Sequence, residues 1–310
     1  MAHVTPNIHL KVKNVMKPIS SAEYILNEDG SIYHLHLRPE GLADLVLTVG
    51  DPQRVGLISR YFDEIDTQTS KREFVTHTGR IGNRRITVIS TGIGTDNIDI
   101  VVNELDALCN IDPETRLPRE HKKQLTFLRV GTSGGLQPDL EPGTVLISAF
   151  GVGLDNLMQF YDYQNNLEEL ELYDSLMAFF SETGPLPVNP YVFAADRGLL
   201  QSFAPSLPRG ITLTCPGFYG PQGRQLRGPL VMGNDAVLNM QRFKFKDYFI
   251  SNFEMETSAL FGLSALLGHK ALSCNVLLAN RTKGTFSEDP SKEVDTLVKT
   301  VLEEIEGGGI

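Results

Sequence analysis

The sequence predicts an α/β protein whose sheet is largely buried and covered by helices on both faces. Three observations carry this. Short runs of β-branched and aliphatic residues recur, Gly-rich turns follow several of them, and the segments after those turns space their apolar residues as a helix does.

The first strand is LVLTV, Leu45–Val49, stopped by Gly50-Asp51-Pro52. The following QRVGLISRYF has helical apolar spacing. ITVIS, Ile86–Ser90, is a second strand. The turn TGIGTDN leads from it into an amphipathic helix, IDIVVNELDAL. LTFLRV, Leu125–Val130, is a third strand ending in the Gly-rich turn GTSGGL, and TVLISA, Thr144–Ala149, is a fourth. Later come a helix in NLEELELYDSLMAFF, a buried strand ALSCNVLLA at Ala271–Ala279, and a tail helix DTLVKTVLEEI that stops at glycines. Residues 110–123 (NIDPETRLPREHKK) are polar and contain prolines, and read as an exposed insertion. Residues 1–31 read as an extension or an arm on another subunit, and 32–310 as a single domain without repeats.

Composition narrows the function classes. Of 310 residues, 41% are apolar and 21% charged, which suits a folded soluble chain. The formal net charge of −10 speaks against a nucleic-acid surface, which needs a basic face. Three cysteines without CxxC spacing predict neither a disulfide framework nor a zinc site, and imply a cytoplasmic protein. No apolar run approaches the ~20 residues of a membrane span.

Several stretches hold residues suited to chemistry. TGIGTDN mimics a dinucleotide fingerprint, but its third glycine would fall at Asn97, so a tight strand-to-helix turn is the better reading. In GDPQRV, Gly50 leaves backbone N–H groups accessible and Arg54 opens a helix. Phosphate binding and a solvated turn both remain open there. LRVGTSGGL places Arg129 near the end of an apolar strand, where a charge needs a partner, with the hydroxyls of Thr132 and Ser133 close by. Two such turns, both at strand ends and each with an arginine, suggest one oxyanion site. In GFYGPQGR, Phe218 and Tyr219 could stack on a ring. Gln222 and Arg224, two apart in an extended segment, would share a side and suit a ring edge carrying carbonyls and an N–H. NFEMETSAL has two glutamates around Met255. Ser251 and Glu254 fit a capping box for the helix that follows, which leaves Glu256 unexplained. Both carboxylates could instead accept sugar hydroxyls, with Met255 against the sugar's apolar face.

Taken in order, GDPQRV, KREF (Lys71–Phe74), STGIGTDN, LRVGTSGGL, FYGPQGR, NFEMETSAL and ANRT (Ala279–Thr282) resemble the nucleoside phosphorylases, closest to uridine phosphorylase, from about Ile32 to the C-terminus. The resemblance implies a three-layer αβα fold with a central mixed sheet partly curled into a barrel. It implies phosphate binding by Gly50, Arg54, Arg129 and Thr132, with Arg72 from a neighbouring subunit. Ribose would meet Glu254, Met255, Glu256 and the neighbour's His34, with His36 the competing register. The base would meet Phe218, Gln222, Arg224 and Arg281. Purine-cleaving relatives are expected to carry an aspartate where this chain has Asn280-Arg281, which points to a pyrimidine.

The implied reaction is phosphorolysis of uridine to uracil and ribose 1-phosphate by a homo-oligomer, at least a dimer. A purine phosphorylase, a nucleosidase and a noncatalytic nucleoside-binding protein are the alternatives. Phosphate is co-substrate, no organic cofactor is expected, and neither nucleic acid nor membrane is a partner. Some members bind a monovalent cation through a glutamate, an isoleucine carbonyl and a serine. Glu73 and Ile93 match, but the serine position holds Asn97, which leaves that set one ligand short.

Overall fold

The first apolar run forms strand β1 (Leu45–Val49), every residue of it buried. Helix α1 (Pro52–Ser59) follows, with Asp51 as its N-cap accepting the Gln53 amide at 2.9 Å and Pro52 in its first turn. Next come β2 (Glu64–Lys71) and β3 (Phe74–Ile81), a hairpin turning through Arg72 and Glu73, then β4 (Arg84–Ser90) and α2 (Thr95–Asn110). The second third of the chain supplies β5 (Thr126–Gly135), β6 (Val145–Gly153), α3 (Leu167–Thr183), β7 (Tyr191–Ala194), α4 (Arg197–Ser202) and β8 (Arg209–Thr214). The last third supplies α5 (Asn234–Met240), β9 (Lys244–Phe245), β10 (Tyr248–Glu254), α6 (Thr257–Leu267), β11 (Lys270–Asn280), β12 (Thr285–Phe286) and α7 (Pro290–Glu306). This is a computed structural model, and it describes residues 17–184, 186–232 and 234–310.

The twelve strands among the described residues belong to one mixed sheet system, and five of them close on themselves. β5 pairs with β11, β11 with β6, β6 with β8, β8 with β10, and β10 returns to β5. The ring is a small barrel filled by side chains, and β1, β4, β3 and β2 extend the sheet outward from β5. Helices cover the sheet on both sides in three layers. α7 packs on β5 and β11 with a stripe of Val294, Leu297, Val298, Val301, Leu302 and Ile305, the three-and-four spacing of one helical face. α6 is buried over most of its length, which explains its nearly uniform apolar sequence. It packs between α2 and the β6–β7 side of the barrel.

β5 branches. Along one edge its first residues, Thr126–Arg129, pair with β1, and its last two, Gly134 and Gly135, pair with β10. Between them the edge is left to side chains, and the functional cleft opens there. The segment GTSGGL is therefore not the turn its sequence predicts: Gly131–Gly135 continue the strand in register with β11. The glycines serve close approach instead. A Cβ on Gly131 would overlap the Arg129 guanidinium and stand 2.6 Å from Asn275 Oδ1, and one on Gly135 would stand 2.8 Å from Leu277.

Residues 1–16 of the expected extension lie outside the described residues. Residues 17–31 lie against the 110–123 stretch. Arg116 donates to the carbonyls of Ile19 at 2.6 Å, Ser20 at 2.8 Å and Tyr24, and stacks 5.0 Å from the ring centre of the buried Tyr24. Among the described residues no helix is long and apolar enough to cross a membrane.

Candidate active site

A cleft of about 610 Å³ opens at the gap beside β5. It is lined by Gly50, Arg54, Arg129, Thr132, Phe218, Gln222, Arg224, Glu254, Met255 and Glu256, ten of the residues singled out in the sequence, which come from four separate segments. The reason is topological: the ends of β1, β4 and β10 and the middle of β5 converge where strand pairing changes partner.

Arg129 is the hub. Its side chain is almost wholly buried and folds back over Gly131. Nη1 donates to Asn275 on β11, and Nη2 donates to Glu256 and lies 3.2 Å from Glu254. Burial works against its charge, yet the two glutamates outweigh burial and hold the guanidinium above its ordinary range. Arg54 reaches across the gap to donate to the Val130 carbonyl at 3.2 Å. Burial, then repulsion from Arg129, holds Arg54 below the ordinary arginine range. Arg129 already lies between two carboxylates, whereas Arg54, partly buried and without an ion pair among the described residues, is the cation of this end left to meet an anion. Thr132 and Ser133 line the cleft next to them, and Ser133 Oγ is buried without a partner among the described residues.

The two glutamates differ. Glu254 accepts the Thr214 hydroxyl at 2.6 Å on one oxygen and the amides of Glu256 and Thr257, both at 2.9 Å, on the other. It thereby caps α6 and braces Arg129. The Ser251–Glu254 capping box is not formed: Ser251 lies in β10 and its hydroxyl donates to Ile211 O and Asn252 Oδ1. The chain between them is extended rather than turned, so the two side chains cannot reciprocate. Glu256 accepts the Gly94 amide at 2.8 Å on one oxygen and Arg129 on the other. Burial pushes its carboxyl above the ordinary range, Arg129 opposes the shift, and Glu254 adds to it. The tight turn at TGIGTDN is thus part of the site, with Gly92 (φ +72°) and Gly94 (φ +103°) in conformations that favour glycine.

At the other end of the cleft, Gly220–Gln222 form a single 3-10 turn closed by Gly223 at φ +68°. Gln222 and Arg224 are therefore not on an extended segment, but the turn still brings them together. Arg224 Nη1 donates to Gln222 Oε1 and, at 2.8 Å, to Phe218 O. The Arg224 guanidinium stacks 3.8 Å from the Phe218 ring centre. Burial, then the nearby Arg281, lowers Arg224 to about 10. Arg281 stands behind the cleft wall and donates to Gln222 O at 3.0 Å, with both arginines over Gly134.

His34 and Arg72 do not line the cleft of their own chain. They lie together around Tyr33: the His34 ring is 4.7 Å away, and the Arg72 guanidinium, on the β2–β3 turn at φ +55°, is 6.0 Å away. His36 is more exposed and sits on Asp29 at 3.1 Å. Ile93 stands exposed at the cleft mouth, while Glu73 and Asn97 crowd Gly92, where a Cβ would overlap Asn97 and stand 3.0 Å from Glu73. Thr214 and Asn275, which hold Glu254 and Arg129, lie outside the sequence motifs. A lone asparagine inside the apolar strand ALSCNVLLA was the available signal for the second.

Residues 44–305 match the family described as the phosphorylase superfamily. A uridine phosphorylase of Thermococcus kodakarensis is 30% identical over 278 residues, 88% of this chain and 86% of that protein. A DeoD-type purine nucleoside phosphorylase of Levilactobacillus brevis is 26% identical, over 87% and 97% of the two chains. Among solved structures, a Trypanosoma brucei nucleoside phosphorylase described as showing uridine phosphorylase activity superposes with a TM-score of 0.81 at 26% identity, over 92% of this chain and 100% of that one. With the family matched across most of its length and the closed barrel and cleft in place, this chain belongs to the phosphorylase superfamily and is a pentosyltransferase.

Proposed function

We propose that the protein catalyses reversible phosphorolysis of uridine to uracil and ribose 1-phosphate. The observation that carries this is the layout of one cleft. Arg54 and Arg129 form its cationic end, Glu256 and Met255 its floor, and the Gln222–Arg224 pair its far end. Phosphate sits against the arginines with Gly50 and Thr132. Glu256 accepts ribose hydroxyls, and Met255 packs under the sugar. The ring lies near Phe218, its carbonyl–N–H edge read by Gln222 and Arg224, with Arg281 bracing Gln222.

Phosphate attacks the anomeric carbon as the glycosidic bond loosens to an oxocarbenium-like sugar, and negative charge grows on the departing uracil. Arg224 meets that charge with hydrogen bonds that strengthen toward the transition state, in a partly desolvated setting. Arg72 and His34 reach a neighbouring subunit's cleft, the first for phosphate and the second for the ribose 5′-hydroxyl, so the working enzyme is a homo-oligomer. Phosphate is the co-substrate.

Asn280 supports a pyrimidine over a purine. Its amide nitrogen donates to Gln137 O and Leu140 O, and its oxygen accepts from Thr282 and Lys283, so it has no group free for a purine ring.

Base release from uridine and inosine, each with and without phosphate, tests the proposal. Phosphate-dependent release of uracil is expected. Release without phosphate would make the protein a nucleosidase, preference for inosine would overturn the base assignment, and binding without release would overturn catalysis.

A further inference from the structure

Helix α2 carries a carboxylate with no part in the reaction as described. Glu104 projects from it toward the 32–37 turn, and among the described residues its oxygens accept only from that turn. The His34 amide lies 3.0 Å from both oxygens, the Leu35 amide donates to Oε2 at 3.0 Å, and His34 Nδ1 lies 2.6 Å from Oε1. A carboxylate oxygen accepts, so the proton of this contact resides on Nδ1, which in a neutral imidazole leaves the lone pair on Nε2. Tyr33 and Phe74 meet the ring edge-on at centroid distances of 4.7 and 6.5 Å and limit its rotation. Nε2 has no partner among the described residues. His36 contrasts with it: its Nε2 is already engaged by Asp29 at 3.1 Å.

We propose that Glu104 is a positioning residue. It fixes His34 as the Nδ1–H tautomer, so that Nε2 accepts a hydrogen bond from the 5′-hydroxyl of a nucleoside in the neighbouring subunit's cleft. The consequence is specificity: an acceptor there selects nucleosides that carry a 5′-hydroxyl. This rests on the function proposed above. It also goes beyond it, because it assigns the histidine's direction of hydrogen bonding and the residue that sets it.

Two measurements on Glu104→Gln, His34→Ala and the double variant test this. The first is kcat/KM for uridine against 5′-deoxyuridine, with the KM for phosphate. The wild type should prefer uridine. Each single variant should erode that preference about 10-fold, the value of one hydrogen bond. The double variant should lose no more, and the phosphate KM should not move. Equal losses on both nucleosides, or losses that multiply in the double variant, would overturn the assignment and leave Glu104 a local cap of its turn. The second measurement is long-range ¹H–¹⁵N NMR of the histidine rings, with His34 identified by its absence in His34→Ala. The wild type should show Nδ1–H, and Glu104→Gln should lose that dominance. An Nε2–H ring in the wild type would overturn the proposal. Because the NMR measurement needs no turnover, absence of uridine cleavage would refute the proposed function while the tautomer still decides the role of Glu104.

Discussion

Arg129 shows how one residue can be both structural and chemical. It is buried between two carboxylates and an asparagine, and it lines the end of the cleft proposed to hold phosphate. Removing its charge would strand Glu254 and Glu256 together, at a cost of about 3–5 kcal/mol. Arg129→Lys is the cleaner probe: it keeps the charge but replaces a planar fork with a point donor. Its turnover with uridine should fall about 100-fold, as when one preorganised donor is lost. Near-normal phosphorolysis in a folded Arg129→Lys would remove the phosphate role. The neighbouring glutamates should separate cleanly. Glu256→Gln is expected to lower kcat/KM for uridine about 10-fold or more, since a hydrogen bond to a charged group is worth roughly 1.5–3 kcal/mol. Glu254→Gln turns an amide N–H₂ toward groups that are themselves donors, and should act chiefly on melting temperature. If the two variants give the same profile, both glutamates have the same job.

Among the elements, β5 joins the outer sheet to the barrel and lines the cleft between them. Its glycines read as a turn because turns are where glycine is most often needed. Here they remain in a strand because Arg129 lies across Gly131. Gly131→Ala should therefore displace the guanidinium. A loss of about 1–3 kcal/mol in stability is expected from overpacking, together with a raised KM for phosphate. A normal phosphate KM in that variant would show that Arg129 can relocate without consequence.

The same contrast explains what was legible in the sequence. β1, β4, β6 and β11 were readable because buried strands are apolar runs. β2 was not: EIDTQTSK is a polar, mostly exposed edge strand with no such signature. β10 was masked because it is buried on both faces from Ile250 to Glu254 and mixes Ser251, Asn252 and Glu254 with Ile250 and Phe253. The cleft residues were legible as short motifs, but the partners that hold them were not. Thr214, Asn275 and Glu104 act through contacts distant in sequence, which no local pattern records.

At the scale of the whole molecule, the proposed sharing of sites makes a quantitative prediction. In that proposal Arg54 serves its own cleft and Arg72 a neighbour's. Separately, Arg54→Ala and Arg72→Ala homo-oligomers should each be poorly active. Randomly reassorted subunits of the two should recover about a quarter of wild-type activity, because half the pairs are mixed and each mixed pair has one intact site. No recovery after confirmed subunit exchange would place each active site within a single chain.

The closed ring of strands also bears on how the protein is made. β5 must wait for β11, and Arg129 finds Asn275 only 146 residues further along the chain. During synthesis, the nascent chain therefore carries a glycine-rich strand with one side open until nearly the whole polypeptide has left the ribosome. Pairings between partners so distant form slowly, and while they wait the exposed strand is a target for chaperones and for aggregation. The buried hub at Arg129, completed by one of the last strands to be translated, is also among the last parts of the molecule to exist.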